Sequence, residues 1–489
     1  MKLPLLTVAT LALTLTLGSS RQPVPSLPTQ AIKKLDAARK DAKHHPPSMP
    51  PRPFPSDVER FLKLPRGGSS DHAMTPLISF CNLLADLCPH GMLPLAYGLM
   101  STPGSTGACS AALILAAFGV LGWYGLGSMG RAKEIGGGDG DSLSSVHCSI
   151  GFKPSKLPTL MPLFLTLGCC LFYSAFLGDI FTPLLSLLLP SLSLSRTAVL
   201  VTLAIVPLAP LCLLDDLSSL QVSSFAGLGG IFYTICFIGY RAITGGYRPG
   251  GEFHSQMLDL GPSASHLLYA EPPLTPLFKI SKGTLTLMNM ACVAFACHYN
   301  GVKYYVELKD RTVNKYSKIM GLGNLTVLMV FFCMMFFGAS AFGGASQPLI
   351  LNNFHPTADL GASFARGLVG CAIISGYPLM FTGLKSAVHD LLKIESSPKF
   401  TKDCISLAML AAITVTATFV TEHELGPLLG VVGALFGSAV VYIIPAMWNL
   451  RVAEQMPFFK GERTANVLLG LGGCALAVLG TWVSLTEGH

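Results

Sequence analysis

Beyond residue 74 the chain is a succession of long apolar runs separated by short polar loops, with neither strand-like alternation nor a one-sided helical stripe. Runs that are apolar on every face for about 20 residues fit helices in lipid, where no water is present to satisfy backbone groups. Eleven such spans are expected, at 75–100, 107–129, 158–182, 197–214, 220–241, 282–302, 319–343, 364–384, 403–420, 425–447 and 465–485. Glycines break up the tenth, which predicts close packing against a neighbouring helix. The pattern gives an all-α polytopic membrane protein, with spans one to five at 75–241, spans six to ten at 282–447 and span eleven at 465–485, inside a transmembrane domain of 74–489.

Two segments precede that domain. Residues 1–20 open with Met1-Lys2, run apolar to Leu17 and close on Gly18-Ser19-Ser20, which reads as a signal or targeting segment. Residues 21–73 are basic, polar and rich in proline, and a disordered tail is expected there.

Composition sharpens the picture. The chain is 51% hydrophobic and only 12% charged, with mean hydropathy +0.55. Soluble domains carry about 25% charged residues. The net charge of +7 does not indicate a nucleic-acid partner, because the basic residues beyond the tail sit in short loops. Sixteen Lys and Arg fall on the tail's side of the spans. Six fall on the other: Arg196, Arg241, Arg248, Lys279, Lys282 and Arg366. That bias places the tail on the cytosolic, stromal or matrix side. A cleaved secretory signal would place 21–73 on the opposite side, so the leader is expected to be uncleaved or to serve as an organelle address. Plasma membrane, vacuolar or other endomembrane, and plastid envelope all remain open.

Enzyme chemistry is not expected. The 14 cysteines form no CxxC pair and no metal-ligand spacing, and most lie in apolar runs as small hydrophobes. Leu177-Gly178-Asp179 resembles half of an intramembrane aspartyl protease motif, but Phe176 stands where its first glycine belongs; Asp179 reads as a structural or gating residue near the interface. Asp215 and Asp216 read as a solvated turn.

Two spans are interrupted. Span one carries Cys88-Pro89-His90-Gly91, where proline removes a donor and glycine tolerates unwinding. Span six carries Cys297-His298-Tyr299-Asn300-Gly301. If spans one to five and six to ten are two repeats, these breaks correspond. A matched pair of broken helices points to a midplane substrate site. Candidate substrate-binding residues are therefore Asn82, Pro89, His90, Gly91, Cys297 and His298; for His298 a packed structural role is the competing reading. Asp86 lies one turn after Asn82, and an intramembrane carboxylate is a functional candidate by default, here for proton or cation coupling. The competing reading is a snorkelling or capping aspartate. Ser375 offers a hydroxyl at a flexible point in span eight. No cofactor is expected beyond a coupling ion, H+ or Na+.

These residues also carry a resemblance. Phe295-Ala296-Cys297-His298 followed by Tyr305-Val306-Glu307-Leu308-Lys309-Asp310 resembles the FVCH…YTELKD segment of the amino acid/auxin permease family, nearest its neutral amino acid transporter branch, which is sodium-coupled in animals. Gly91-Met92-Leu93-Pro94-Leu95-Ala96-Tyr97, the Pro207 to Leu214 stretch, and Gly433-Ala434 with Ile444-Pro445-Ala446 resemble the family's first, fourth and tenth spans. The resemblance covers 75–485. It implies a leucine-transporter-like inverted repeat of five plus five spans with one extra helix. It also implies an amino acid bound at the breaks and cation-coupled alternating access. An amino acid sensor on the same fold is the alternative. In the sodium-coupled branch, an asparagine that serves as a sodium ligand aligns with Ala85 and a threonine aligns with Gly376, so protons are favoured over sodium. The family's Pro-Glu after the span-six histidine is Tyr299-Asn300 here.

Overall fold

In the computed structural model the described residues are 74–100, 105–137, 140–189, 191, 194–214, 221–259, 266–268, 270, 277–394, 396–420, 422–455 and 461–486, without the side chains of 221–226, 422, 423 and 455. All belong to one packing unit, Leu62–His489. The leader expected at 1–20, the tail at 21–73 and the Asp215 and Asp216 turn lie outside the described residues.

The first span is two helices, α1 (Pro76–Gly91) and α2 (Leu95–Met100). Thr75 accepts from the Ile78 N–H at 3.3 Å and Pro76 opens the helix, where a missing donor costs nothing. The second and third spans are α3 (Ala108–Gly136) and α5 (Leu157–Leu188), joined through the short α4 (Leu143–Ser149). The fourth is α6 (Arg196–Leu203), prolonged by a π-helical turn at Ala204–Leu208 that contains Pro207 and by Ala209–Cys212. The fifth is α7 (Gln221–Thr244), followed by the short α8 (His254–Asp259).

Span six again has two halves, α9 (Lys282–Ala294) and α10 (Gly301–Val306), with a 3-10 turn at His298–Asn300 between them. Spans seven, eight and nine are α11 (Val313–Phe342), α12 (Leu360–Leu392) and α13 (Lys399–Ala417). Span ten begins as α14 (Glu422–Val431), winds through π-turns at Val432–Gly437 and Ala439–Ile443, and ends as α15 (Ile444–Gln455). Span eleven is α16 (Arg463–Thr486).

Among the described residues eight helices are long and apolar enough to cross a membrane, and Arg196–Cys212 is a shorter apolar helix. The remaining expected spans, the first and sixth, fall short because each is broken. The protein is thus an all-α, multi-pass membrane protein. Its outer faces expose Leu113, Phe232, Leu325, Val415, Leu471 and Trp482, as lipid contact demands. Among the described residues only two isolated bridges resemble strand pairing, Met74 with Leu308 and Ala270 with Gly343.

Close backbone approach sets the packing inside. α12 lies against α5 and α7, while α11 lies against α3 and α1. The glycines of span ten act as expected: a Cβ on Gly433 would meet the Asn289 carbonyl of α9, and one on Gly437 would stand 3.4 Å from Cys292. Asn289 also donates to the Gly480 carbonyl at 2.9 Å and to the Ser484 hydroxyl at 3.0 Å, docking α16 onto α9.

Charged groups sit at the span ends in paired arrangements. Asp179 pairs with Arg196, Oδ1 to Nε 2.8 Å, a structural contact at the span ends. The same guanidinium donates to the Ala417 and Ala175 carbonyls at 2.9 and 3.3 Å, tying spans three, four and nine together. At one end of the bundle, Arg131 pairs with Glu462 at 3.0 Å and the Tyr124 hydroxyl donates to the same carboxylate at 2.7 Å. Burial alone would raise the Glu462 carboxyl, but Arg131 and Tyr124 outweigh it and hold it below its ordinary value. On the opposite face, Asp359 caps α12, accepting from the Ala362 N–H at 3.2 Å, Arg241 at 2.9 Å and the Tyr247 hydroxyl at 3.1 Å. Arg366 gathers the carbonyls of Leu351, Phe354, His355 and Pro356. His355 accepts at Nδ1 from the Thr357 and Ala358 N–H groups, at 3.2 and 2.8 Å. Burial, and then the nearby Arg366 cation, lower its pKa.

Candidate substrate site

The two broken spans meet at buried residues. The chain is buried from Cys81 to Ala96 in span one, and from Asn289 through Val302 in span six. The break in span one falls at 92–94, not at Cys88-Pro89-His90-Gly91 as the sequence suggested. Pro89 lies within the last turn of α1, which closes with the Met92 N–H on the Cys88 carbonyl at 3.1 Å. Pro89 has no N–H, so α1 forfeits the bond to the Ala85 carbonyl four residues back, yet its winding continues to Gly91. The next helix starts after Pro94, whose carbonyl takes the Gly98 N–H at 3.0 Å. Pro94 therefore sets the break, at a helix start where a proline fits.

In span six the helix ends at Ala294, the chain unwinds through Phe295–Cys297, and winding resumes through the 3-10 turn into α10. The Ala296 N–H turns back to the Val293 carbonyl at 3.0 Å.

Each expected site residue has a definite place. Asp86 is fully buried in α1; its Oδ1 accepts from the Tyr299 hydroxyl at 2.6 Å and its Oδ2 from the Tyr304 hydroxyl at 3.1 Å. A carboxylate withdrawn from water needs such donors, and among the described residues no Lys or Arg pairs with it. Asn82, one turn earlier and also fully buried, directs its amide at the Met74 sulfur at 3.4 Å.

His90 spans the gap between the breaks. Its Nε2 lies 3.0 Å from the Val293 carbonyl and its Nδ1 lies 3.0 Å from the Tyr173 hydroxyl of α5. Gly91 has no room for a side chain, since a Cβ would stand 2.9 Å from the Ala294 carbonyl and press into the Phe331 ring.

The span-six residues divide. Cys297 is fully buried, and its carbonyl accepts from the Asn300 N–H at 3.0 Å. His298 is directed at α3: its Nε2 donates to the Gly122 carbonyl at 2.9 Å, and Gly125 leaves the space its ring occupies. It packs the second half of span six against α3.

Ser375 does not join Asp86. Its hydroxyl bonds back to the Cys371 carbonyl at 2.8 Å and its Cβ faces Gly227 of α7. Its neighbour Gly376 faces α1 instead, so close that a Cβ would stand 2.6 Å from the Ala85 carbonyl and 3.4 Å from the Tyr173 hydroxyl. Ala85 and Gly376, where the resemblance sets a sodium-ligating asparagine and a threonine, thus touch each other backbone to backbone.

Sequence reasoning missed Tyr173, Tyr299 and Tyr304. Only Tyr299 left a signal, because it replaces the family's proline directly after His298. The broken spans are also joined where span one begins and span six ends: the Met74 N–H donates to the Glu307 carbonyl at 2.7 Å and the Lys309 N–H to the Met74 carbonyl at 2.9 Å.

Two interrupted spans that meet in a buried core, with an intramembrane carboxylate held between them, are the architecture of a polytopic transporter. The chain belongs to the transmembrane amino acid transporter family, whose model, "Transmembrane amino acid transporter protein", matches residues 72–486. It is similar to the amino acid transporter AVT6E of Arabidopsis thaliana, at 24% identity over 58% of this chain and 57% of that protein. It is also similar to the putative sodium-coupled neutral amino acid transporter 11 of Macaca fascicularis, at 24% over 40% and 42%. The sodium-coupled neutral amino acid symporter 2 of Danio rerio matches at 22% over 36% and 36%. The matched segments span less than two thirds of these relatives' own lengths. The family and these relatives are transporters, not enzymes.

Proposed function

We propose that the protein is a secondary active transporter of amino acids in which the substrate lodges between the breaks of spans one and six and Asp86 carries a coupled proton. Family membership supports the substrate class. The observation that carries the site is the meeting of the two breaks across His90 and Val293, beside the Asp86 clasp to Tyr299 and Tyr304. A zwitterion needs donors and acceptors facing one another, and a helix end beside an unwound segment supplies both.

Asp86 is the group suited to coupling. Protonation would change which partners its carboxyl can accept from, and its partners lie on the half of span six beyond the break. In this reading a proton taken up or released by Asp86 alters the hold of α1 on α10. The contact between Ala85 and Gly376, which brings no side-chain oxygen, favours protons over sodium. Gly91 and Cys297 lie at the breaks, Asn82 lies well inside α1 towards Met74, His298 acts by packing and Ser375 faces away.

Uptake of radiolabelled amino acids into proteoliposomes tests this. An imposed proton gradient should drive accumulation and a sodium gradient should not. Absence of flux for every amino acid under both gradients would sink the proposal. The resemblance sets a glycine pair in the first span where Pro89-His90-Gly91 stands, and that departure favours one second reading, an amino acid sensor without significant flux; binding without counterflow would identify it.

A further inference from the structure

The His90 imidazole bridges span one to the end of α9, and its surroundings fix its chemistry. A carbonyl oxygen can only accept, so Nε2 carries the proton that reaches Val293. Nδ1 is then the acceptor for the Tyr173 hydroxyl in the neutral ring. The ring is held at both ends and the residue is only 2% exposed.

The partner matters as much as the ring. Val293 lies in the last turn of α9, where carbonyls lose their intrahelical donors. One lone pair takes the Ala296 N–H and the other takes His90. The imidazole therefore uses the remaining acceptor capacity of that carbonyl, one of those that the end of α9 offers to a nitrogen donor. At the next residue a Cβ on Gly91 would run into Phe331 and the Ala294 carbonyl, so the backbone that carries the ring lies close against span six.

We propose that His90 is a built-in stopper of the substrate site: its imidazole stands in for the ammonium group of an amino acid at the end of α9, and must swing out before a substrate enters. The inference rests on the reading that the substrate lodges between the breaks. It reassigns His90 from a ligand of the substrate to its competitor. Part of the binding energy is then spent breaking the bonds to Val293 and Tyr173, and affinity is lowered by the fraction of molecules in which the ring is already out. Two neutral hydrogen bonds set the scale of that loss at on the order of tenfold.

The test measures equilibrium binding of tritiated amino acids, each in turn, to the purified full-length protein. His90→Gly and His90→Ala are expected to bind on the order of tenfold more tightly than wild type. Tyr173→Phe keeps the bulk and the fold but frees one end of the ring, and a smaller gain of about threefold is expected. Free imidazole is expected to compete with the amino acid in His90→Gly, by refilling the vacated space, and not in wild type; a purely structural histidine would give no such competition. Equal or weaker binding in the His90 variants and in Tyr173→Phe, with wild type still binding, overturns the stopper and leaves the transporter reading intact. Binding by none of the proteins overturns both.

Discussion

The carboxylate of Asp86 and the hydroxyl of Tyr299 stand 2.6 Å apart across the two broken spans, one late in α1 and the other in the turn that opens the second half of span six. Tyr304 closes the same clasp at 3.1 Å. A hydrogen bond to a charged group is worth about 1.5–3 kcal/mol, so Tyr299→Phe is expected to weaken the hold of α1 on the second half of span six by about that amount. Asp86→Asn is expected to abolish the pH dependence of uptake while the protein still folds, because the amide keeps the shape and loses the titrating proton. Uptake measured against external pH checks both variants, and an unchanged pH profile in Asp86→Asn removes Asp86 from coupling.

Restoring the threonine of the sodium-coupled branch should fail. Gly376 lies so near the Ala85 carbonyl that a Cβ would stand 2.6 Å from it. Gly376→Thr is expected to push α12 off α1 and cost about 1–3 kcal/mol. Uptake should fall and no sodium dependence should appear, even when combined with Ala85→Asn. Sodium titration of uptake in the double variant measures this.

Arg196 ties three spans through Asp179 and the Ala417 and Ala175 carbonyls. Arg196→Gln leaves the Asp179 carboxylate without its cation at a partly buried site. The expected loss is about 2 kcal/mol, below the 3–5 kcal/mol of a fully buried pair because the guanidinium keeps contact with solvent. Thermal unfolding in detergent should show a Tm lower by several degrees. Asp179→Asn, which keeps an acceptor, should lose less.

Acid should loosen the loop that carries His355. Its pKa is lowered in the folded protein, so the unfolded loop binds more protons between the folded value and the ordinary value of about 6.5. The stabilisation is therefore complete above the ordinary value and declines as pH falls through it towards the folded value. Protonation at Nδ1 also removes the acceptor for the Thr357 and Ala358 amides. Hydrogen exchange at those two amides, corrected for intrinsic rates, should accelerate as pH falls through that range. His355→Phe should show fast exchange at every pH.

The helices were legible because lipid imposes a length: a run of apolar residues long enough to cross needs no tertiary information to be recognised. The breaks were legible in their pairing but not wholly in their place. Pro89 resembles a breaker in sequence, yet α1 keeps its winding past it to Gly91; Pro94, which starts the next helix, is the residue that sets the break. Asp86 was identifiable because a buried acid is costly. Its tyrosine partners were not, since Tyr299 and Tyr304 are brought to it from more than 200 positions away by the packing of span six on span one. The opposite orientations of Ser375 and Gly376, one towards α7 and one towards α1, follow from the rotation of α12 about its own axis, which apolar composition on every face leaves undetermined.

The bridge between Met74 and the chain beyond α10 joins the entry of the first span to the exit of the sixth by main-chain bonds, which no side-chain substitution removes. Any tilt that lifts the start of α1 must carry Leu308 with it. On that face the two pieces are geared to one another, so that a displacement of either end is handed to the other through the main chain.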